Sequence, residues 1–362
     1  MSQYIVSARK YRPTSFDEVV GQEVISTTLE HAIKSNQLAQ ALLFCGPRGV
    51  GKTTCARILA RRINEEAGVS SDDDFAFNIF ELDAASNNSV DDIRNLIDQV
   101  RFPPQVGKYK VYIIDEVHML STQAFNAFLK TLEEPPAHAI FILATTEKHK
   151  IIPTILSRCQ IYDFKRIQIP EIKAHLAKIA EKENVAFEDD ALHLIAQKAD
   201  GALRDALSIF DRLATFGEGK LTLESVSETL NVLDYDAYFQ ITDACLENDI
   251  PKALQLLNQI IDKGFDLQLF IAGLGGHFRD LLVSKHEQTV DLLDVGDNTK
   301  QKYLAQGKLC SPNFLIQAIE ICNQADIHYK ASKNQRLTIE ITLMQIASLS
   351  QTEIQSKKKS LA

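Results

Sequence analysis

The chain has 362 residues, of which 45% are apolar and 24% charged, and its net charge is −9. That length is too great for one compact core and points to two or three domains; the acidic balance excludes a protein that coats nucleic acid through its whole surface. No apolar run approaches the roughly 20 residues that span a bilayer. The start Met1-Ser2-Gln3-Tyr4 lacks the charged-then-apolar pattern of a secretory signal, so a cytoplasmic protein with no membrane partner is expected. Six cysteines, at positions 45, 55, 159, 245, 310 and 322, form no C-x-x-C pair, which predicts reduced and mostly buried thiols.

An arm with aromatic and proline residues, Ala8 to Phe16, precedes a predicted helix that begins at Gly21-Gln22 and ends near Asn36. The apolar strand Ala41-Leu42-Leu43-Phe44 then runs into Gly46-Pro47-Arg48-Gly49-Val50-Gly51-Lys52-Thr53. Beyond it Ala56, Leu59, Ala60 and Ile63 recur at helical spacing. Strand, glycine loop and helix are the context in which G-x-x-x-x-G-K-[ST] cradles phosphates. Glycines let backbone N–H groups turn inward, and the helix start adds the positive end of its dipole. Lys52 is expected to reach the outer phosphates and Thr53 to hold a magnesium ion, with Thr54 beside it among the nucleotide-binding residues.

Glu65 to Asn78 reads as an exposed acidic loop, and Ile79 to Leu82 as the next strand. Ser89 followed by Asp92 resembles a capping box and predicts a helix from Val90 to Val100. The strand Lys110 to Glu116 ends in two carboxylates. In an open α/β sheet ligands gather at the carboxyl ends of strands, which puts this pair in the crevice of the phosphate loop. Asp115 is then expected to hold magnesium opposite Thr53, and Glu116 to orient and deprotonate the attacking water. His118, beside them, reads as a hydrogen-bonding residue rather than a metal ligand, and Cys159 as packing rather than a nucleophile.

A helix from Ser121 to Glu133 is closed by Pro135-Pro136, and the strand Ile140 to Ala144 ends in Thr145-Thr146, either of which could contact the terminal phosphate or its water. Ile155 to Cys159 leads into a fifth strand ending near Phe164. Strands alternating with helices imply a parallel sheet. From Pro170 the strand signals largely stop. Helices are predicted from Pro170, with Ile172, Leu176, Ile179 and Ala180 on one face, then around Ala191 to Ala199 and Leu203 to Ala214. A further all-helical stretch runs from Asp234 to Leu349, with Ala253, Leu256, Leu257, Ile260 and Ile261 on one face and a loop through Gly296-Asp297-Asn298. The basic run Lys357-Lys358-Lys359 reads as a solvated, frayed end. The expected division is an α/β P-loop domain over 1–166, a small helical lid over 167–232, an all-helical domain over 233–350 and a tail over 351–362.

Tyr11-Arg12-Pro13, Val20-Gly21-Gln22, the loop from Gly46 to Thr53, Glu81 to Ser86, Ile114 to Leu120, Leu132 to Pro136, Ser157-Arg158-Cys159 and Gly201 to Ala206 occur in one ordered series. In this series the chain resembles clamp-loader ATPases of the AAA+ superfamily, above all the gamma/tau family of bacterial DNA polymerase III. The resemblance covers most of the first 230 residues, and the helical remainder matches only in length and character.

The resemblance implies a cytoplasmic ATPase that works in a ring-like hetero-oligomer with other clamp-loader subunits. It implies that ATP binding and hydrolysis are coupled to loading a sliding clamp at a primed double-stranded/single-stranded DNA junction, with ATP and magnesium as cofactors. Arg158 looks like the arginine finger that serves a neighbouring subunit's ATP site, and Arg204 like the lid arginine that touches the nucleotide in cis. Thr146, ahead of Thr145, looks like the strand-end sensor, and Tyr11, Pro13 and Val20 should lie near the adenine. The helical C-terminal region would hold subunits together as a collar. DNA phosphates are expected along backbone N–H groups at helix starts such as Asn87-Asn88-Ser89.

Two departures stand out. Members of the family usually carry four zinc-binding cysteines between the phosphate-loop helix and the next strand, whereas Asn64 to Asn78 holds none, so no zinc is expected. The second departure is length: the three expected domains fill these 362 residues, so a tau-like extension toward helicase or polymerase is expected to lie outside this sequence. Other AAA+ DNA-remodelling motors, such as branch-migration or recombination factors, are the alternative. Ser157-Arg158-Cys159 argues against them, and intact Lys52, Thr53, Asp115 and Glu116 argue against a relative that has lost its ATPase chemistry.

Overall fold

The computed structural model describes residues 6–68, 77–216, 219–230, 233–293 and 295–360. The chain divides into two compact units, one made of residues 1–179 and 195–212 and the other of 180–194 and 213–362. The segment expected to form the lid, 167–232, is thus shared between the two.

The first unit is built on five parallel strands: β1 (Ala41–Cys45), β2 (Ile79–Asp83), β3 (Lys110–Asp115), β4 (Ala139–Thr145) and β5 (Gln160–Asp163), in the order β2-β3-β4-β1-β5. β1 and β4 are buried along their whole length, because helices cover both faces of the sheet; their continuous apolar runs reflect this. Side chains still alternate between faces. Leu43, Ile114, Phe141 and Leu143 pack on Ile93, Leu96, Phe125 and Phe128 of the helices Val90–Val100 and Thr122–Glu133. Leu42, Phe44, Ile113 and Ile142 pack on Leu29, Ile58, Leu59 and Ile63 of the helices Glu23–Lys34 and Lys52–Glu66.

The parallel register pairs Cys45 with Thr145 and Ile114 with Leu143, so the carboxyl ends of β1, β3 and β4 lie at one edge. Ser89 caps its helix as the sequence predicts: its hydroxyl accepts from the Asp92 N–H, and the Asp92 carboxylate accepts from the Ser89 N–H. That box occupies N–H groups at this helix start, and Asp91 and Asp92 stand in its first turn. Both features weigh against DNA phosphate at Asn87-Asn88-Ser89.

The stretch from Glu65 to Asn78, expected to be an exposed acidic loop, departs from that reading at both ends. The helix continues to Glu66, and Asn78 is fully buried, donating to Asn64 Oδ1 at 3.0 Å and to the Val106 carbonyl at 2.7 Å. Residues 69–76 lie outside the described ones.

Among the described residues the only strands of the second unit are a two-stranded parallel pair, β6 (Ala186–Phe187) and β7 (Lys220–Leu221), and its other regular elements are helices. Two residues per strand, more than thirty positions apart, leave no periodicity to read, which is why the sequence showed only helices there. Ala253, Leu257 and Ile260 of the helix Ile250–Asp262 are buried as expected, while Leu256 and Ile261 are partly covered. Their partners include Phe270, Ile271 and Leu274 of Leu267–Val283, Phe314 and Leu315 of Pro312–Tyr329, and Ile339 and Leu343 of Gln335–Ser360. The loop expected at Gly296-Asp297-Asn298 is instead a helix start, with Gly296 at the cap and the helix running from Asp297 to Leu309. Turn-forming residues serve equally well in caps and first turns. The last helix continues through the expected tail to Ser360, where lysine and glutamine favour helix.

One polar group sits deep in this helical core. The His277 ring is stacked on Tyr238 and edge-on to Phe239, with Nδ1 2.9 Å from the Tyr303 hydroxyl and Nε2 3.3 Å from Gln306 Oε1. Gln306 in turn donates to the Phe239 carbonyl and to Asp243. Burial pushes the His277 pKa from 6.5 down to about 3, with the Gln306 contact opposing the shift. A histidine whose folded value lies below its unfolded one adds stability that is complete above 6.5 and lost as pH falls toward about 3. In a proton–carbon NMR titration of the whole chain, ring signals assigned through His277→Gln should therefore remain neutral at about pH 5. A midpoint between pH 6 and 7 would contradict this.

Candidate functional site

The loop after β1 is anchored on both sides of its strand. The Gly46 N–H donates to the Thr145 carbonyl of β4, and the Phe164 N–H donates to the Cys45 carbonyl just before the loop. Gly46, Gly49 and Gly51 have φ of 148°, 78° and 106°, values that only glycine adopts readily. Gly51 caps the helix Lys52–Glu66, whose first N–H groups consequently open toward the loop. A methyl group on Gly46 would fall 2.4 Å from the Phe164 carbonyl oxygen, and one on Gly49 would meet Ala202 Cβ at 3.0 Å. The loop therefore has no room for side chains at either position.

Lys52 is almost fully buried, and its Nζ donates to the Gly46 and Pro47 carbonyls at 2.8 and 2.7 Å. Burial lowers its pKa, while Glu116 and Asp115 act in the opposite direction. The Thr53 hydroxyl donates to Asp115 Oδ2 at 2.7 Å, so the first helical turn and the end of β3 meet. Glu116 lies just past that strand, with φ at 48° in the left-handed region, a departure from the extended conformation expected of it. The turn carries its carboxylate to β4. There the Thr146 hydroxyl donates to Glu116 Oε2 at 2.9 Å and the Thr146 N–H does so at 3.3 Å.

The two threonines part company. Thr145 is fully buried, with its hydroxyl 3.0 Å from His118 Nδ1, and only Thr146 reaches Glu116. Such a division follows from strand alternation and leaves Thr146 as the threonine in contact with Glu116.

Asp115, Glu116 and the loop from Arg48 to Thr54 line one cleft together with Tyr11, Pro13, Val20 and Arg204. Gly46 and Pro47 lie beneath this lining and contribute the carbonyls that hold Lys52. Arg204 opens the helix Leu203–Phe216, and its N–H donates to the Gly49 carbonyl at 3.4 Å. Beyond the cleft, the start of the arm is tied to the helix Leu203–Phe216, where the Ser7 N–H donates to Asp211, and Gln22 Nε2 donates to the Lys165 carbonyl just past β5 at 2.7 Å. The sequence reading gave no site role to Ala8, Arg12, Val19, Ile167, Leu203 and Leu207, which also line the cleft. All but Arg12 are apolar, a residue type that carries no chemical signal in one sequence, and they become neighbours only through the fold.

Arg158 does not join this cleft. Its guanidinium donates to Glu133 Oε1 at 2.5 Å and to the Thr154 carbonyl at 2.7 Å. Among the described residues no cluster of three or more His, Cys, Asp or Glu side chains could hold a metal, and no helix is long and apolar enough to cross a membrane. The hydroxyl–carboxylate pair of Thr53 and Asp115 is the hard-oxygen donor set that suits magnesium bound jointly with phosphate oxygens.

Profiles of known families cover nearly the whole chain. That described as "DNA polymerase III, delta subunit" matches residues 21–168, "DNA polymerase III clamp loader subunit, ATPase lid domain" matches 171–219, and "DNA polymerase III subunits gamma and tau domain III" matches 221–360. DNA polymerase III subunit tau of Bacillus subtilis is 38% identical over 94% of this chain, which spans 63% of that protein's length. Subunit gamma of Buchnera aphidicola subsp. Baizongia pistaciae is 33% identical over 98% of this chain and 100% of its own. Among solved structures, the Thermotoga maritima RuvB Holliday junction branch migration motor is 22% identical over 65% of this chain and 79% of that one, with a TM-score of 0.49.

Gly46→Ala should destabilise the fold by about 1–3 kcal/mol, because the added methyl meets a backbone oxygen of the sheet. Thermal melts would show a clear drop. Gly51→Ala has open space around its Cβ and should lose less stability, its cost being backbone strain alone. Equal melting of the two variants would refute this account of the loop.

Proposed function

The chain belongs to the gamma/tau subunit family of DNA polymerase III, and on that premise we propose that it is an ATP-driven clamp-loader subunit, coupling ATP binding and hydrolysis to the loading of a sliding clamp onto primed DNA. The observation that carries this reading is the convergence of the phosphate loop, Asp115, Glu116 and Arg204 on one cleft that Arg158 does not enter. Nucleotide phosphates rest against the N–H groups of Arg48 to Thr54, and the base lies near Tyr11, Pro13 and Val20. Thr53 and Asp115 hold magnesium, which neutralises charge on the phosphates. Lys52 adds a cation.

Glu116 accepts the proton of the attacking water, and Thr146 fixes the carboxylate that does so. Arg204 reads the nucleotide from the lid. Its backbone bond to Gly49 supports the idea that loop and lid move as one. Arg158 completes a neighbour's site, so hydrolysis depends on correct packing of subunits. The profile boundaries at residues 168 and 219 support the division into nucleotide-binding, lid and collar domains. Other clamp-loader subunits, the sliding clamp and a primed DNA junction are the proposed partners.

ATP hydrolysis by the chain assembled with its partner subunits should rise severalfold when sliding clamp and primed DNA are added together. No stimulation by the pair would sink the clamp-loader reading. Arg158→Ala should bind nucleotide with unchanged affinity yet lower turnover of the assembled complex by about 10³-fold, as removal of an arginine finger does. Normal turnover in that variant would remove the finger assignment and leave the phosphate-loop chemistry untouched.

A further inference from the structure

We propose that His118 is the positioning residue that sets which oxygen of Glu116 faces the attacking water; this rests on the reading of Glu116 as the base. After Asp115 the chain turns through the left-handed residue Glu116 into the short turn Val117–Met119. Side chains 116 and 118 therefore return toward one another instead of projecting from an extended strand. The His118 side chain is only 6% exposed and lies between two carboxylates: Nδ1 is 3.4 Å from Glu116 Oε2, and Nε2 is 3.1 Å from Glu147 Oε2.

The ring is fixed in place from three directions. Nδ1 is 3.0 Å from the Thr145 hydroxyl, and that hydroxyl accepts from the Glu147 N–H at 3.0 Å. Glu147 is held in turn by Lys150 at 2.8 Å. Thr145, Glu147 and His118 thus form a closed set at the end of β4, and a buried ring so bounded has little freedom to rotate.

The contacts on the Glu116 carboxylate, from the Thr146 hydroxyl, the Thr146 N–H and the His118 ring, all fall on Oε2. Oε2 is the oxygen held by protein. Oε1 is the one presented to water. A carboxylate held at one oxygen keeps the other within the few tenths of an ångström that a positioned base requires. Removing the ring lets the carboxylate rotate about Thr146, and the productive geometry becomes one of several. Thr145, which the site itself does not use, acquires a role here as the anchor of the ring.

The test uses the chain assembled with its partner subunits, with clamp and primed DNA present. His118→Ala should lower kcat for ATP about tenfold or more, with KM and nucleotide affinity within twofold of wild type. His118→Gln, whose amide can still bridge Thr145 and Glu116, should recover part of that loss. In a Glu116→Gln background His118→Ala should cause no further fall, because the oxygen it positions no longer acts as a base. Should the alanine variant fail to fold in thermal melts, Glu147→Gln carries the same test, with an expected fall in kcat of about threefold at unchanged KM. Wild-type kcat in the folded variant, or a fall that comes wholly from KM, overturns the proposal. An active Glu116→Gln enzyme would instead overturn the reading of the base itself, so the two failures are distinguishable.

Discussion

The arrangement depends on the parallel pairing of β1 with β4 and of β4 with β3. That register sets Cys45 beside Thr145 and Ile114 beside Leu143, so three chain segments end at the same height. One residue of slip in any pair would carry Asp115 or Thr146 a full residue, about 3.3 Å, along its strand and turn its side chain to the opposite face. Burial on both sides enforces the pairing, since a slipped strand would expose apolar side chains and strand polar ones in the core. The geometry at the edge therefore inherits its precision from Leu42, Leu43, Ile113, Phe141 and Ile142, none of which lines the cleft.

Backbone conformation does the rest at two places. The glycines of the phosphate loop allow it to fold tightly between Phe164 and Ala202, and the left-handed Glu116 redirects its own carboxylate from the sheet toward Thr146. Both concentrate conformational cost where the site is formed, and the surrounding sheet overcomes it. In the helical unit the buried His277, Tyr303 and Gln306 set answers a different constraint. It satisfies polar groups that helix packing has enclosed, and each member has a partner.

Much of the fold was legible because its signals are local. The alternation of five short apolar runs with helical patterns specified a parallel sheet, and Ser89 with Asp92 marked a helix start that the structure reproduces at the same residue. The loop from Gly46 to Thr53, Asp115 and Glu116 were legible as one cluster because their residue types at that spacing have few other uses, and loop, Asp115 and Glu116 do meet at one cleft. Legibility failed where two readings share one composition: Gly296-Asp297-Asn298 suits a loop or a helix start, and packing decided for the helix. It also failed at β6 and β7, which are too short to carry a period.

The sequence by itself marked the residues for which phosphate, metal and proton roles are proposed, because those capacities belong to side chains and to the backbone freedom of glycine. It could not decide between Thr145 and Thr146, show that Glu116 leaves the strand in a left-handed turn, or bring His118 between Glu116 and Glu147. Tertiary structure decided these. Each depends on which face of a strand a side chain leaves and on what stands opposite it, and distances of about 3 Å between residues some thirty positions apart exist only once the strands have paired.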